Sequence, residues 1–164
     1  LHPRVRRQRQ MCIRDSVMAV DSVRTAYHIP VYAAEAEKET MQDASINLSI
    51  NMGGAMLSVE ADHWLKDGET ITLLDQEVRC ILTPGHTVGG MCFYFPKAGM
   101  LFSGDTLFQE SVGRTDFPGG SMSEIVRSIR EKLFVLPDAV QVYPGHGLMT
   151  SIKNEKMFNP FAVE

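Results

Sequence analysis

Short apolar runs separated by turn residues dominate the chain from about residue 58 onward. Runs of strand length, each bounded by turn-forming residues, predict β-strands rather than helices. The turns are marked by Asp67-Gly68, Pro84-Gly85 and residues 96–99. The predicted strands are residues 70–74, 78–83, 91–95, 100–103 and, further on, 139–143.

A different pattern precedes and interrupts these strands. Residues 17–27 place apolar side chains at helical spacing, and residues 34–42 are rich in helix formers. Between them, residues 29–33 predict a short strand with Pro30 near its start, where a missing N–H is tolerated. Residues 43–54 are polar, close on two glycines and predict a loop.

A second helix start is visible at Ser121, which forms an S-x-x-E capping box with Glu124 after the glycine-rich loop 111–120. The helix is expected to end before Pro137. Its predicted apolar face consists of Met122, Ile125, Val126, Ile129 and Leu133. The pattern as a whole predicts a mixed α/β domain whose strands lead into loops.

Composition narrows the class of protein. A length of 164 residues is that of one ordinary domain with a real core, and no apolar run approaches the length of a membrane span. The 3 cysteines lie far apart, which argues against a disulfide framework and favours a reducing compartment, the cytosol by default. Cys80 and Cys92 fall within predicted strands, so we expect buried, reduced thiols.

Charge is distributed unevenly. Residues 1–16 contain five arginines and one acid, a balance of +4, whereas the remaining 148 residues hold 11 basic and 19 acidic residues, a balance of -8. A basic arm could bind nucleic acid. This arm lacks any helical or strand period, however, and resembles translated adapter sequence, so we interpret residues 1–16 as a non-native scar. The acidic remainder argues against nucleic-acid or membrane binding.

Three segments share one design that carries chemistry. In each, an apolar run ends at a glycine, and the next residue is His86, Asp105 or His146. Strand ends of one sheet can converge at one edge, and glycine permits tight backbone geometry there. Imidazole and carboxylate are ligands that Zn²⁺, Fe²⁺ or Mn²⁺ accept. The pattern therefore predicts a metal site.

Each segment alone is weak evidence, because a histidine after Pro-Gly is more often a turn residue than a ligand. Three such segments on three strand ends make coincidence a poor explanation. His28 and His63 lie in segments without this pattern, so we interpret them as ordinary histidines.

The motifs resemble those of the metallo-β-lactamase superfamily, in its glyoxalase II-like (hydroxyacylglutathione hydrolase-like) branch of small bacterial hydrolases. The likeness covers residues 17–164 in order. It rests on Pro84-Gly85-His86-Thr87 with Gly89-Gly90, on Ser103-Gly104-Asp105-Thr106, on the loop 111–120, on Pro144-Gly145-His146-Gly147, and on the tail 154–161.

The resemblance implies an α/β metallo-β-lactamase-like αββα sandwich. It implies that His86 binds one metal, His146 the second, and that Asp105 bridges the two and is catalytic. The metals would be Zn²⁺, with Fe or Mn as options. A metal-bridging hydroxide would attack the carbonyl of a small-molecule thioester such as hydroxyacylglutathione.

One motif of the family is missing. Its H-x-H-x-D-H segment, which supplies four further ligands, would stand before the predicted helix 17–27, where this sequence has Arg14-Asp15-Ser16. We therefore expect residues 17–164 to be a partial metallo-β-lactamase-fold domain, incomplete at its N-terminus and joined to the scar. Such a chain would bind metal weakly and be poorly active; two tightly held metal equivalents per chain would contradict this.

Several alternatives stay open. Arg114 could bind a substrate anion, since guanidinium groups grip carboxylates, or it could contact Asp116 and shape its own loop. Two histidines and one carboxylate could also hold a single iron, as in the persulfide dioxygenases of the same superfamily. A third possibility is an inactive, metal-free fragment. Substrate, native metal and oligomeric state are not fixed by the sequence.

Overall fold

The structure, a computed structural model, describes residues 19–47 and 58–162. The chain divides into two units, Leu1–Trp64 and Leu65–Glu164. The segment interpreted as a scar, residues 1–16, lies outside the described residues, as does the position expected for the H-x-H-x-D-H motif.

The first unit contains two short helices and a small sheet. Helix α1 spans Val20–Tyr27, a 3-10 turn spans Glu35–Glu37, and helix α2 spans Lys38–Gln42. Strand β1 (Tyr32–Ala34) pairs with strand β2 (His63–Leu65). The strand predicted at residues 29–33 begins later than expected, because the N–H of Val31 donates to the carboxylate of Asp62 at 2.7 Å instead of to a neighbouring strand.

The second unit is built on a six-stranded sheet. Its strands are β3 (Thr70–Leu73), β4 (Gln76–Leu82), β5 (Met91–Phe95), β6 (Met100–Gly104), β9 (Gln141–Pro144) and β10 (Thr150–Ser151). Their order across the sheet is β10-β9-β6-β5-β4-β3. Strands β4, β5 and β6 form an antiparallel run, and β9 joins β6 in parallel. Strands β4, β6 and β9 consequently all end at the same edge of the sheet.

One face of this sheet carries the core. Register places Tyr94 opposite Leu101, and Leu101 opposite Val142, on a common face. These side chains form one buried cluster with Ile125 and Ile129, from the helix predicted by the capping box. Because each is almost fully removed from water, truncating Ile129 to alanine would cost about 2–5 kcal/mol of stability.

The predicted helix is present but changes its form. Helix α3 spans Met122–Ser128 and continues as a π-helical turn over Ile129–Leu133. The N-cap half of the capping box is confirmed, since the N–H of Glu124 donates to Ser121 Oγ at 3.3 Å. The reciprocal half is absent, because the N–H of Ser121 donates to the carbonyl of Gly85 and the Glu124 carboxylate pairs with Arg127. The predicted apolar face was wrong at Met122, which is 45 % exposed. This first-turn residue is not part of the buried cluster.

Five further elements, β2 and β10 among them, were not predicted because they are very short or lack an alternating pattern. Strands β7 (Leu107–Phe108) and β8 (Ser111–Val112) pair as a tight hairpin. Helix α4 spans Ile152–Phe158, and its first turn is capped by Ser151, whose hydroxyl accepts from the N–H of Asn154 at 3.2 Å. That Ser-x-x-Asn spacing was the available signal for α4. No helix among the described residues is long and apolar enough to cross a membrane.

Candidate metal centre

The three glycine turns meet at one edge of the six-stranded sheet. His86 follows β4, Asp105 follows β6 and His146 follows β9. The turns are joined directly, because the N–H of Gly145 donates to the carbonyl of Gly104 at 2.8 Å. The convergence that the sequence predicted therefore follows from the topology, in which three strands share one direction.

Close approach to Asp105 requires glycine at two positions, Gly145 in the third turn and Gly113 in the loop 111–120. A Cβ on Gly145 would lie 2.8 Å from Asp105 Oδ1. A Cβ on Gly113 would lie 1.7 Å from the backbone oxygen of Asp105 and 3.4 Å from His86 Nδ1. Gly113 was not singled out from the sequence, since nothing in its loop shows that the backbone passes this close to another segment.

Hydrogen bonds between buried hydroxyl groups connect the residues next to these turns. Thr83 Oγ1 lies 2.8 Å from Thr106 Oγ1 and 3.3 Å from Cys92 Sγ, which connects the segments leading to His86 and Asp105. Ser103 Oγ donates to the carbonyl of Leu107 at 2.7 Å. Buried polar groups fully paired in this way hold a single geometry. The sequence did not reveal this network, because serine and threonine are ordinary at strand ends.

His86 and His146 approach opposite oxygens of the Asp105 carboxylate. His86 Nε2 lies 3.5 Å from Oδ2, and His146 Nε2 lies 3.6 Å from Oδ1. These separations are long for hydrogen bonds. Two donors bound at about 2.1 Å to one tetrahedral ion lie roughly 3.4 Å apart, so both distances fit a metal between each pair.

The two histidines are held differently. Only 14 % of the His86 side chain is exposed, and its Nδ1 lies 2.7 Å from the backbone oxygen of Arg114. Because a carbonyl can only accept, Nδ1 donates to it, which leaves Nε2 as the ring nitrogen that faces Asp105 and could bind a metal. The side chain of His146 is 45 % exposed, and the ring of Phe108 lies edge-on to its imidazole, with 6.2 Å between the ring centroids.

His86, Asp105 and His146 form two adjoining pairs rather than one cluster. Across residues 19–47 and 58–162, no group of three or more His, Cys, Asp or Glu side chains clusters around one metal position. The arrangement is instead two adjoining pairs, each consisting of one imidazole and one oxygen of Asp105. This donor chemistry fits Zn²⁺, Fe²⁺ or Mn²⁺ bridged by a carboxylate.

The remaining candidate residues have other surroundings. Arg114 forms a bidentate pair with Asp116, one of the two possibilities that the sequence left open.

Cys80 and Cys92 are free and buried, as predicted. Burial raises the pKa of the Cys92 thiol to about 11, so this thiol stays protonated and unreactive at neutral pH. His63 stacks on Tyr32 with 4.5 Å between the ring centroids, and both residues precede the three glycine turns in the sequence.

Comparison with known proteins yields consistent relatives. Residues 15–146 match the family described as "Metallo-beta-lactamase superfamily". The "Probable metallo-hydrolase YqgX" of Bacillus subtilis is 37% identical over 148 residues, which are 90% of this chain and 70% of that protein. The "Hydroxyacylglutathione hydrolase GloC" of Haemophilus influenzae is 41% identical over 101 residues, which are 61% of this chain and 48% of that protein.

Solved structures give the same result. The BLEG-1 B3 metallo-beta-lactamase superposes with a TM-score of 0.81 at 38% identity, covering 89% of this chain and 71% of that one. TTHA1623 in a di-iron-bound form superposes with a TM-score of 0.75 at 32% identity, covering 88% of this chain and 71% of that one. On the matches in sequence and fold, this chain belongs to the metallo-β-lactamase superfamily.

Proposed function

We propose that the chain is a metal-dependent hydrolase of the glyoxalase II type, which cleaves a small thioester such as hydroxyacylglutathione. The observation that carries this proposal is the placement of two imidazoles on opposite oxygens of one carboxylate, 3.5 and 3.6 Å away. A bridged pair of cations is the arrangement suited to hydrolysis, because it clamps the attacking and the departing groups.

In this proposal the metal ligands are His86, Asp105 and His146. Metal bound there would lower the pKa of water and polarise a carbonyl oxygen. The chain's own part is to orient the donors: the Arg114 carbonyl keeps the Nε2 lone pair of His86 toward Asp105. The glycine turns let backbone segments approach the carboxylate without a side chain in between.

The thioester is supported by chemistry and by similarity. A thiolate is a good leaving group, so little assistance from a separate general acid is needed. The matched region of the hydroxyacylglutathione hydrolase from Haemophilus influenzae covers 61% of this chain. We therefore propose a hydroxyacyl thioester as the substrate class.

The proposal is tested on the intact chain incubated with excess Zn²⁺, Fe²⁺ or Mn²⁺ and S-lactoylglutathione. We expect slow release of free thiol that requires added metal and is abolished in Asp105→Asn. An Arg127→Ala variant, which loses only an exposed pair with Glu124, serves as the matched control and should retain the wild-type rate.

A different outcome would overturn the assignment. Absence of thiol release with all three metals, together with oxygen consumption on glutathione persulfide, would establish the dioxygenase alternative. Absence of both reactions at saturating metal would instead indicate the inactive fragment.

A further inference from the structure

The loop 111–120 makes two contacts with His86 and passes close to it at a third point. The backbone oxygen of Arg114 lies 2.7 Å from His86 Nδ1. The ring of Phe117 lies edge-on to the imidazole, with 5.2 Å between ring centroids and an interplanar angle of 89°. Gly113 passes so close that a Cβ there would sit 3.4 Å from the same nitrogen. The position of this loop therefore sets the position of the His86 ring.

The side chain of Arg114 closes the loop on itself. Its Nε donates to Asp116 Oδ1 and its Nη2 donates to Asp116 Oδ2, both at 2.6 Å. Its guanidinium carbon also lies 4.5 Å from the centroid of the Phe117 ring. A planar guanidinium can make a fork and a stacking contact at once, which an ammonium group cannot reproduce.

We propose that Arg114 and Asp116 are positioning residues, which fix the backbone oxygen of Arg114 and the ring of Phe117 so that His86 presents Nε2 to the metal. The inference rests on the proposed role of His86 as a metal ligand. Partners that orient a ligating histidine by accepting its other N–H typically change metal affinity by about 10–100-fold when they are lost.

This role competes with the capture of a substrate anion by Arg114. A carboxylate substrate would be gripped best by the edge of the guanidinium formed by Nε and Nη2. Asp116 already occupies that edge with short, charge-assisted bonds. The geometry thus uses the fork of Arg114 within its own loop, next to the residues that contact His86.

The first test needs neither metal nor substrate. In the metal-free chain labelled with ¹⁵N-histidine, at about pH 8, long-range ¹H–¹⁵N spectra report which ring nitrogen carries the proton. We expect His86, assigned by comparison with His86→Gln, to be protonated on Nδ1 in the wild type. Asp116→Asn and Arg114→Lys should each introduce a population protonated on Nε2.

The second test measures zinc affinity by competition with a chromophoric chelator. Asp116→Asn and Arg114→Lys should each weaken zinc binding by about 10-fold, because the His86 lone pair is less well oriented. The matched control is Arg127→Ala, which removes another arginine–carboxylate pair at 2.6 Å in helix α3. It should leave both the His86 tautomer and the affinity unchanged.

Two results would overturn the inference. One is an unchanged His86 tautomer and zinc affinity in both loop variants. The other is an effect of Arg114→Lys confined to the KM for an anionic substrate, which would assign Arg114 to substrate binding. Because the tautomer is observed without metal or turnover, failure of thioester hydrolysis would refute the proposed function and leave this result standing.

Discussion

The two histidines of the candidate metal centre sit in contrasting surroundings. His86 is 14 % exposed and is fixed by a carbonyl on Nδ1 and by the ring of Phe117. His146 is 45 % exposed and follows the last of the converging strands, with Phe108 at its edge. Both histidines follow a Pro-Gly pair, yet the His86 side chain is largely buried whereas the His146 side chain is more open to solvent.

This contrast indicates which of the two positions beside Asp105 is expected to bind metal more tightly. A ligand whose rotamer and tautomer are set before the metal arrives loses little conformational freedom on binding. His86 meets that condition through its hydrogen bond to Arg114 O. We therefore expect the His86 side of Asp105 to bind metal first and the His146 side to bind more weakly.

The largest effect is expected at the residue that the two sides share. Asp105→Asn keeps the shape of the side chain but removes the charge and one oxygen donor. Zinc affinity should fall at least about 100-fold, at or beyond the range seen when only outer partners are lost. Chelator competition measures this directly. A variant that binds zinc within a few fold of the wild type would show that the carboxylate does not bridge the two positions.

The next effect concerns the buried carboxylate of Glu155, which bonds to strand β10 shortly after His146 in the chain. Glu155 is fully buried, and its carboxylate accepts from Thr150 Oγ1 at 2.6 Å and from the N–H of Glu110 at 2.9 Å. It also accepts from Asn159 Nδ2 at 2.8 Å. The carboxylate thereby joins the β7–β8 turn to strand β10.

Glu155→Gln replaces an acceptor with an amide that cannot receive all of these donors, so stability should fall by about 2–3 kcal/mol. Urea unfolding measures the change, with the exposed Glu131→Gln as the comparison. A loss below about 0.5 kcal/mol would show that the network has rearranged without cost.

A direct comparison of His86→Ala with His146→Ala is expected to give a difference of about tenfold in zinc affinity, with His86→Ala the weaker binder. The reason is the pre-organisation of His86 by its loop. Isothermal titration of both variants under identical conditions provides the measurement. Equal losses, or a larger loss for His146→Ala, would contradict the account of the two sides.

The comparison also shows what sequence can and cannot predict. Strand β5 lies where the apolar run predicted it, because strand patterns and turn glycines are local signals. The glycine turns after β4, β6 and β9 were visible for the same reason, and the sheet topology brings them together. The contacts around His86 are not local: Arg114 is 28 positions away, and its part in holding His86 depends on a backbone oxygen that every residue has. Glu155 likewise looks like a surface helix residue until folding buries it.

The smallest effect involves the thiol beneath the His86 turn. Burial raises the pKa of the Cys92 thiol from its ordinary value of about 9 to about 11. Well below pH 9 the thiol is protonated in both the folded and unfolded states, so its ionisation does not reduce the free energy of unfolding. As the pH rises from about 9 to about 11, the unfolded chain ionises first and stability is lost, by about 1 kcal/mol at pH 10. Cys92→Ala should lack this extra loss, and parallel pH profiles of the two proteins would contradict the assignment.

The central claim is that Asp105 carries metal on both oxygens, with one histidine on each side. Anomalous diffraction from zinc-soaked crystals of the intact chain tests it most directly. We expect one peak about 2.0–2.2 Å from both His86 Nε2 and Asp105 Oδ2, and a weaker one at the same distances from His146 Nε2 and Asp105 Oδ1. Peaks elsewhere, with none beside the Asp105 carboxylate, would contradict the account.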